Sequence, residues 1–237
     1  LARMGAAEVS LPGGCAIGTR PIDLHLMGLE AMGAKIELHD GYVRATAPDG
    51  LHGAEITFPK VSVGATENLM MAATLAKGAT ILHNAAMEPE ITDLGECLIA
   101  MGADISGLGT PQITINGVPA LHGAIHKVIA DRIETGTYMI AVALTGGTLR
   151  LKNTQTEFLR ALIGPLKDAG VSFDEDGGDI IVHRNGKPLV GTDIMTAPYP
   201  GFPTDLQAQF MTMLTQCEGA GMVSETIFEN RFMHVPE

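Results

Sequence analysis

Internal repetition constrains this chain more than any other feature. Ala31-Met32-Gly33-Ala34-Lys35-Ile36 returns as Ala100-Met101-Gly102-Ala103-Asp104-Ile105 and again as Asp168-Ala169-Gly170-Val171-Ser172-Phe173, so the glycines lie 69 and 68 residues apart. Gly78 and Gly147 keep the interval, also 69 apart, and each opens a short apolar segment ending on asparagine, Asn84 or Asn153. Self-similarity at a fixed period means that one supersecondary unit has been reused.

The best-preserved unit can be read element by element. Leu69, Met70, Ala73 and Ala76 recur at helical spacing and predict a helix over Thr66–Lys77, closed by Gly78. A strand from Thr80 to His83 follows, then a helix over Thr92–Met101 with Thr92 as N-cap. A hairpin from Asp104-Ile105 to Gln112–Asn116 completes a βαβαββ unit. The next copy predicts helices over Thr135–Leu144 and Glu157–Asp168, the latter kinked at Pro165, with a strand over Thr148–Lys152 between them. Its hairpin turns at Asp176-Gly177-Gly178. Asp23–Ala47 reads as the second half of a copy, and Asp205–Phe228 as a first half. The sequence is therefore expected to be an internal fragment of a longer protein, lacking both termini.

Composition narrows the class. Hydrophobic residues make up 46% and charged residues 18%, enough for a sizeable core, while 4% aromatics and 29 glycines suit closely packed α/β layers. A net charge of −12 argues against nucleic acid and anionic membrane as partners. No apolar run reaches the length of a membrane span. Three cysteines, Cys15, Cys97 and Cys217, are too few and scattered for a disulfide framework or zinc site. Their odd number fits a reducing, cytoplasmic setting. GxSxG, HExxH, EF-hand and GxGxxG patterns are absent from the sequence, so serine hydrolase, zincin, calcium-sensor and Rossmann readings lack support.

Four segments break the rhythm. In Pro12-Gly13-Gly14-Cys15-Ala16-Ile17-Gly18-Thr19-Arg20-Pro21, a glycine loop leaves Cys15 little cover, with Arg20 close by in sequence. Cys15 is either a reactive thiol of lowered pKa or an ordinary surface thiol; Cys97 and Cys217 fit helical core patterns. Lys60-Val61-Ser62-Val63-Gly64-Ala65-Thr66 enters a helix through small residues. It suits an anion at the positive helix end, or Ser62 or Thr66 simply caps the helix. In Asp131-Arg132-Ile133-Glu134-Thr135, Thr135 as N-cap suffices, although Arg132 also suits a phosphate. Pro198-Tyr199-Pro200-Gly201-Phe202-Pro203-Thr204-Asp205 places a carboxylate on a proline-stiffened approach. Thr204 as N-cap and Asp205 in the first turn need no function, yet such a carboxylate also suits a general base or a sugar-hydroxyl acceptor.

Together these segments resemble the UDP-N-acetylglucosamine enolpyruvyltransferase (1-carboxyvinyltransferase) family. The likeness rests on PGGC-x-IG-x-RP-x-DLH at Pro12–His25, KVSVGAT at Lys60–Thr66, NAA-x-EPEI at Asn84–Ile91, DRIETGT at Asp131–Thr137, FPTD-x-QAQF at Phe202–Phe210 and ENRFMHVPE at Glu229–Glu237. The resemblance implies an α/β fold of two inside-out barrels built from βαβαββ units, the enolpyruvyl transferase fold. Residues 1–129 would belong to the first domain and 130–237 to the second. It implies transfer of enolpyruvyl from phosphoenolpyruvate to the 3′-hydroxyl of UDP-N-acetylglucosamine by addition–elimination, releasing phosphate, as the first committed step of peptidoglycan synthesis. No cofactor or metal is implied. Cys15 matches the family's reactive, fosfomycin-alkylated thiol, and Asp205 matches the candidate base. The UDP-sugar and phosphates would be met by Arg20, Pro21, Ile22, Asp23 and Leu24, by Lys60, Val61, Ser62, Val63 and Gly64, and by Arg132, Thr204, Ile227, Phe228 and Arg231.

Other parts of the family's site, including its N-terminal lysine–asparagine pair and C-terminal phosphoenolpyruvate-binding arginines, fall outside these 237 residues. This portion alone is therefore expected to show little turnover. The competing readings are a shikimate 3-phosphate enolpyruvyl transferase, a non-catalytic nucleotide-sugar-binding homologue, and a purely structural repeat protein.

Overall fold

The computed structural model of the chain describes residues 1–13 and 21–236. Its elements follow the repeat. The first copy gives β1 (Ala6–Ser10), α1 (Asp23–Ala31), β2 (Lys35–His39) and β3 (Tyr42–Thr46). The second gives β4 (Glu55–Thr57), α2 (Val63–Ala73), β5 (Ala79–His83), α3 (Pro89–Ala100), β6 (Asp104–Ser106) and β7 (Gln112–Asn116), a complete βαβαββ unit. The third gives α4 (Arg132–Thr145), β8 (Gly147–Leu151), a 3-10 turn (Thr156–Leu159), α5 (Arg160–Asp168), β9 (Ser172–Asp176) and β10 (Asp179–Arg184). Then come β11 (Leu189–Val190), β12 (Ile194–Met195), a 3-10 turn (Thr204–Leu206), α6 (Gln207–Leu214), β13 (Cys217–Glu218) and β14 (Val223–Ser224).

Strand order repeats with the sequence. The sheets run β1-β3-β2, β4-β5-β7-β6 and β8-β10-β9, so the last strand of each unit always lies between the other two that the copies share. No sheet closes into a barrel among the described residues. The recurring glycines explain the shared geometry. Gly33, Gly102 and Gly170 have φ of +91°, +98° and +102°, a left-handed conformation that a Cβ would strain. In each case the following residue's N–H bonds back into the helix just ended: Ala34 to Leu29 O, Ala103 to Leu98 O and Val171 to Leu166 O, all at 2.9 Å. One turn therefore sends all three helices into their hairpins.

The described chain divides into two compact units meeting in sequence at Val128 and Ile129. Each has its own core. Leu69, Met70, Leu82, Ile113 and Ile115 anchor the first; Met139, Ile140, Leu162, Val182 and Phe210 anchor the second. Alternation along the strands accounts for the burial: Ile113 and Ile115 on β7, and Ile180 and Val182 on β10, face inward from successive odd or even positions.

Several boundaries differ from the sequence expectations. Ser62 caps α2, its Oγ accepting the Ala65 N–H at 3.3 Å, so the helix starts at Val63 and Thr66 lies inside it. Pro89 begins α3 three residues ahead of Thr92, because proline is preorganised for the first helical turn. Asp131, not Thr135, caps α4: its Oδ1 accepts the N–H groups of Ile133 at 2.8 Å and Glu134 at 3.0 Å. The segment expected as one helix over Glu157–Asp168 is a 3-10 turn followed by α5, with Pro165 inside the latter. Cys217 is in β13, not in a helix, and its Sγ donates to Met213 O.

Candidate active site

In the first unit, α1 and α2 approach closely because Gly28 leaves room for Leu69; a Cβ at position 28 would lie 2.1 Å from Leu69 Cδ1. Leu24 is buried on the same face of α1. That approach brings His25 against the start of α2. Its ring lies 3.5 Å from where a Cβ of Gly64 would sit, and Asn68 Nδ2 donates to His25 Nδ1 at 3.1 Å. Accepting at Nδ1 leaves the neutral ring's hydrogen on Nε2.

The expected site residues of this unit fall around that contact. Pro21 and Asp23 are exposed at the start of α1 and Ile22 is half-buried as its N-cap. Lys60 is exposed, Val61 packs against the first core, and Val63 and Gly64 are exposed at the positive end of α2. Cys15 and Arg20 lie outside the described residues. Thr66 is fully buried: its Oγ donates to Ser62 O at 2.8 Å and accepts the Ala86 N–H at 3.1 Å, tying the Asn84–Ile91 segment to the helix start. Burial, then Glu90 and Glu88, push the Glu67 carboxyl pKa up.

Burial also holds the His25 pKa below its ordinary value, with Asp23 opposing the shift. The folded chain therefore takes up this proton less readily than the unfolded one. Stability present above pH ~6.5 is lost as pH falls through that value. In the full-length protein, His25→Gln should flatten this loss, read as a smaller change in urea midpoint between pH 7.5 and pH 5.5. The Glu67 shift acts in the opposite sense and cancels in the comparison.

In the second unit, parallel pairing of β12 with β14 sets two chain segments side by side. After β12 the chain turns through Pro198–Phe202, with Gly201 N–H donating to Pro198 O and Ala197 N–H to Phe202 O, and reaches Thr204 and Asp205. After β14 it runs through Glu225 to Ile227, Phe228 and Arg231. Thr204 does not cap a helix. Its hydroxyl donates instead to Glu225 Oε2 at 2.9 Å, while Glu225 Oε1 accepts the N–H groups of Ile227 at 2.8 Å and Phe228 at 3.1 Å. Arg231 Nη2 donates to Asp205 Oδ1 at 2.8 Å, and its guanidinium lies 5.5 Å from the Phe228 ring centroid. Asp205 is 58% exposed and Arg231 only 16%, so the pair presents its carboxylate outward.

The structure thus groups Thr204, Asp205, Ile227, Phe228 and Arg231. Arg132, the first residue of α4, lies over Tyr199, 5.7 Å from the ring centroid. A cavity of about 420 Å³ beside that tyrosine is lined by Glu157, Phe158, Arg160, Ala161, Tyr199 and Pro200, none of them an expected site residue. His25, Asn68, Thr66 and Glu225 were missed as site residues. His25 was legible only as part of the Pro12–His25 motif and Thr66 only as a candidate cap in the Lys60–Thr66 motif, while Asn68 and Glu225 carry no local signal. Among the described residues no cluster of His, Cys, Asp and Glu suits a metal ion. None of their helices is long and apolar enough to cross a membrane. Chemically, the second unit offers an exposed acceptor for a hydroxyl with a guanidinium beside it for an anion.

The family description for EPSP synthase (3-phosphoshikimate 1-carboxyvinyltransferase) matches residues 1–237. The chain belongs to the EPSP synthase family. Within it, the UDP-N-acetylglucosamine 1-carboxyvinyltransferases of Caulobacter vibrioides and Acidiphilium cryptum are 60% and 63% identical across the whole chain. The chain covers 55% and 56% of those proteins, about half the length of the curated relatives it matches. Among solved structures, the enolpyruvyl transferase NikO from Streptomyces tendae superposes with a TM-score of 0.80 at 23% identity, over 99% of this chain and 56% of that one. EPSP synthase from Acinetobacter baumannii gives 0.61 at 21% identity, over 91% and 51%. The fold is that of the enolpyruvyl transferases.

Proposed function

We propose that this chain is part of a cytoplasmic enzyme that transfers enolpyruvyl from phosphoenolpyruvate to the 3′-hydroxyl of UDP-N-acetylglucosamine, releasing phosphate. The whole-chain identity of about 60% to transferases named for that sugar nucleotide carries the reading. Identity to the EPSP synthase structure is 21%, so a shikimate phosphate acceptor is less well supported.

In this reading residues 1–129 and 130–237 serve two domains. Lys60–Gly64, leading into α2, meets the uridine and diphosphate, Arg20 with Pro21–Leu24 holds the uracil, and Arg20 also contacts phosphate. The reaction protonates C3 of phosphoenolpyruvate while the sugar oxygen attacks C2. The resulting ketal phosphate then loses a C3 proton and phosphate to restore the double bond. Cys15 is the general acid, and Asp205 accepts the hydroxyl proton. Arg231 holds Asp205 until a substrate anion competes for its guanidinium, so binding and exposure of the acceptor are linked. Arg132, Ile227 and Phe228 complete the substrate contacts.

Fosfomycin treatment of the full-length protein, followed by mass spectrometry, tests the reading. A site-selective adduct on Cys15 that forms faster with UDP-N-acetylglucosamine is the expected result. No adduct at Cys15, together with no phosphate release from phosphoenolpyruvate and the sugar nucleotide, would overturn it.

A further inference from the structure

We propose that Glu225 is a positioning residue that locks the Asp205 arm to the Ile227–Arg231 segment; this rests on Asp205 and Arg231 acting as described above. The contacts form a closed ring. The Thr204 hydroxyl reaches one carboxylate oxygen at 2.9 Å, and the Ile227 and Phe228 amides reach the other at 2.8 and 3.1 Å. Phe228 supports the guanidinium of Arg231, which returns to Asp205, the neighbour of Thr204. Glu225 is the one member that touches both segments through side-chain hydrogen bonds to three different residues.

The residue type matters. Three donors converge on one side chain, and a carboxylate offers acceptors alone. The start of the segment, beside β14, is secured separately: the Thr226 N–H donates at 2.8 Å to Oγ of Thr196, which is fully buried. Loss of Glu225 therefore loosens the approach of Asp205 to Arg231 without unpairing β12 and β14. Glutamine preserves the geometry, because its carbonyl can accept both amides and the Thr204 hydroxyl can reverse to accept from its NH₂. Alanine removes all three bonds.

The test compares wild type, Glu225→Ala and Glu225→Gln in the full-length protein. The first readout is hydrogen exchange at Ile227 and Phe228 without substrate. Exchange should be about ten- to hundredfold faster in the alanine variant and near wild type in the glutamine variant. The second is steady-state kinetics. Alanine should lower kcat/KM about tenfold or more, chiefly through KM for the sugar nucleotide, and glutamine should restore it to within about threefold. Unchanged exchange in Glu225→Ala, or a Glu225→Gln variant as impaired as alanine, overturns the proposal. Should the wild type itself show no transfer, the proposed function fails, and the exchange comparison still decides the role of Glu225.

Discussion

Replacing Asp205 by alanine in the full-length protein is expected to slow enolpyruvyl transfer by about 10²–10⁴-fold, the usual contribution of a positioned proton acceptor. Folding should be affected only modestly. Asp205 is mostly exposed and fills no core space, while the Arg231 guanidinium, 16% exposed, keeps its place over the Phe228 ring but loses its carboxylate, a cost of about 1 kcal/mol. The thermal midpoint should move by no more than a few degrees while phosphate release collapses. Asp205→Asn separates two roles. If the carboxylate takes the proton, asparagine is as poor as alanine; if it only orients the hydroxyl, asparagine recovers part of the rate. An alanine variant within about threefold of wild type would remove Asp205 from the chemistry.

Phe210→Ala is expected to act through stability instead. Phe210 is fully buried in the second core and meets Phe202 edge-on, with ring centroids 5.4 Å apart at 78°. Truncating such a ring costs about 3–5 kcal/mol, a large share of the ~5–15 kcal/mol that holds a typical domain. Urea denaturation followed by a probe in each unit should show the second unit unfolding at much lower denaturant, with the first shifted far less. Because Phe202 lies two residues before Thr204, activity should also fall as temperature rises, well before the wild type loses it. A shift below about 1 kcal/mol would mean that the core collapses around the gap.

Much of this architecture is legible in the sequence because it rests on local rules. The interval between Gly33, Gly102 and Gly170 gives the unit, and the left-handed φ at each glycine is the physical reason they recur. Helix starts were harder to read, since several polar residues near each one qualify as caps: Ser62 over Thr66, and Asp131 over Thr135. Asp205 stood out through its flanking prolines and Arg231 through the Glu229–Glu237 motif, but nothing in the sequence paired them. Arg231 is 26 residues away, and Glu225 has the composition of an ordinary strand end. His25 and Asn68, 43 residues apart, meet only because Gly28 lets two helices touch. Such partnerships follow from tertiary packing, which leaves no periodic trace.

The common turn at Gly33, Gly102 and Gly170 also bears on ancestry. Interchangeable junctions are what tandem duplication of a single coding segment would leave behind. Chimaeras that exchange the hairpin after one of these glycines for that after another should meet little backbone obstruction at the seam. Where such hybrids fail, the fault should trace to side chains that diverged after duplication, so the exchange separates inherited scaffold from acquired specialisation.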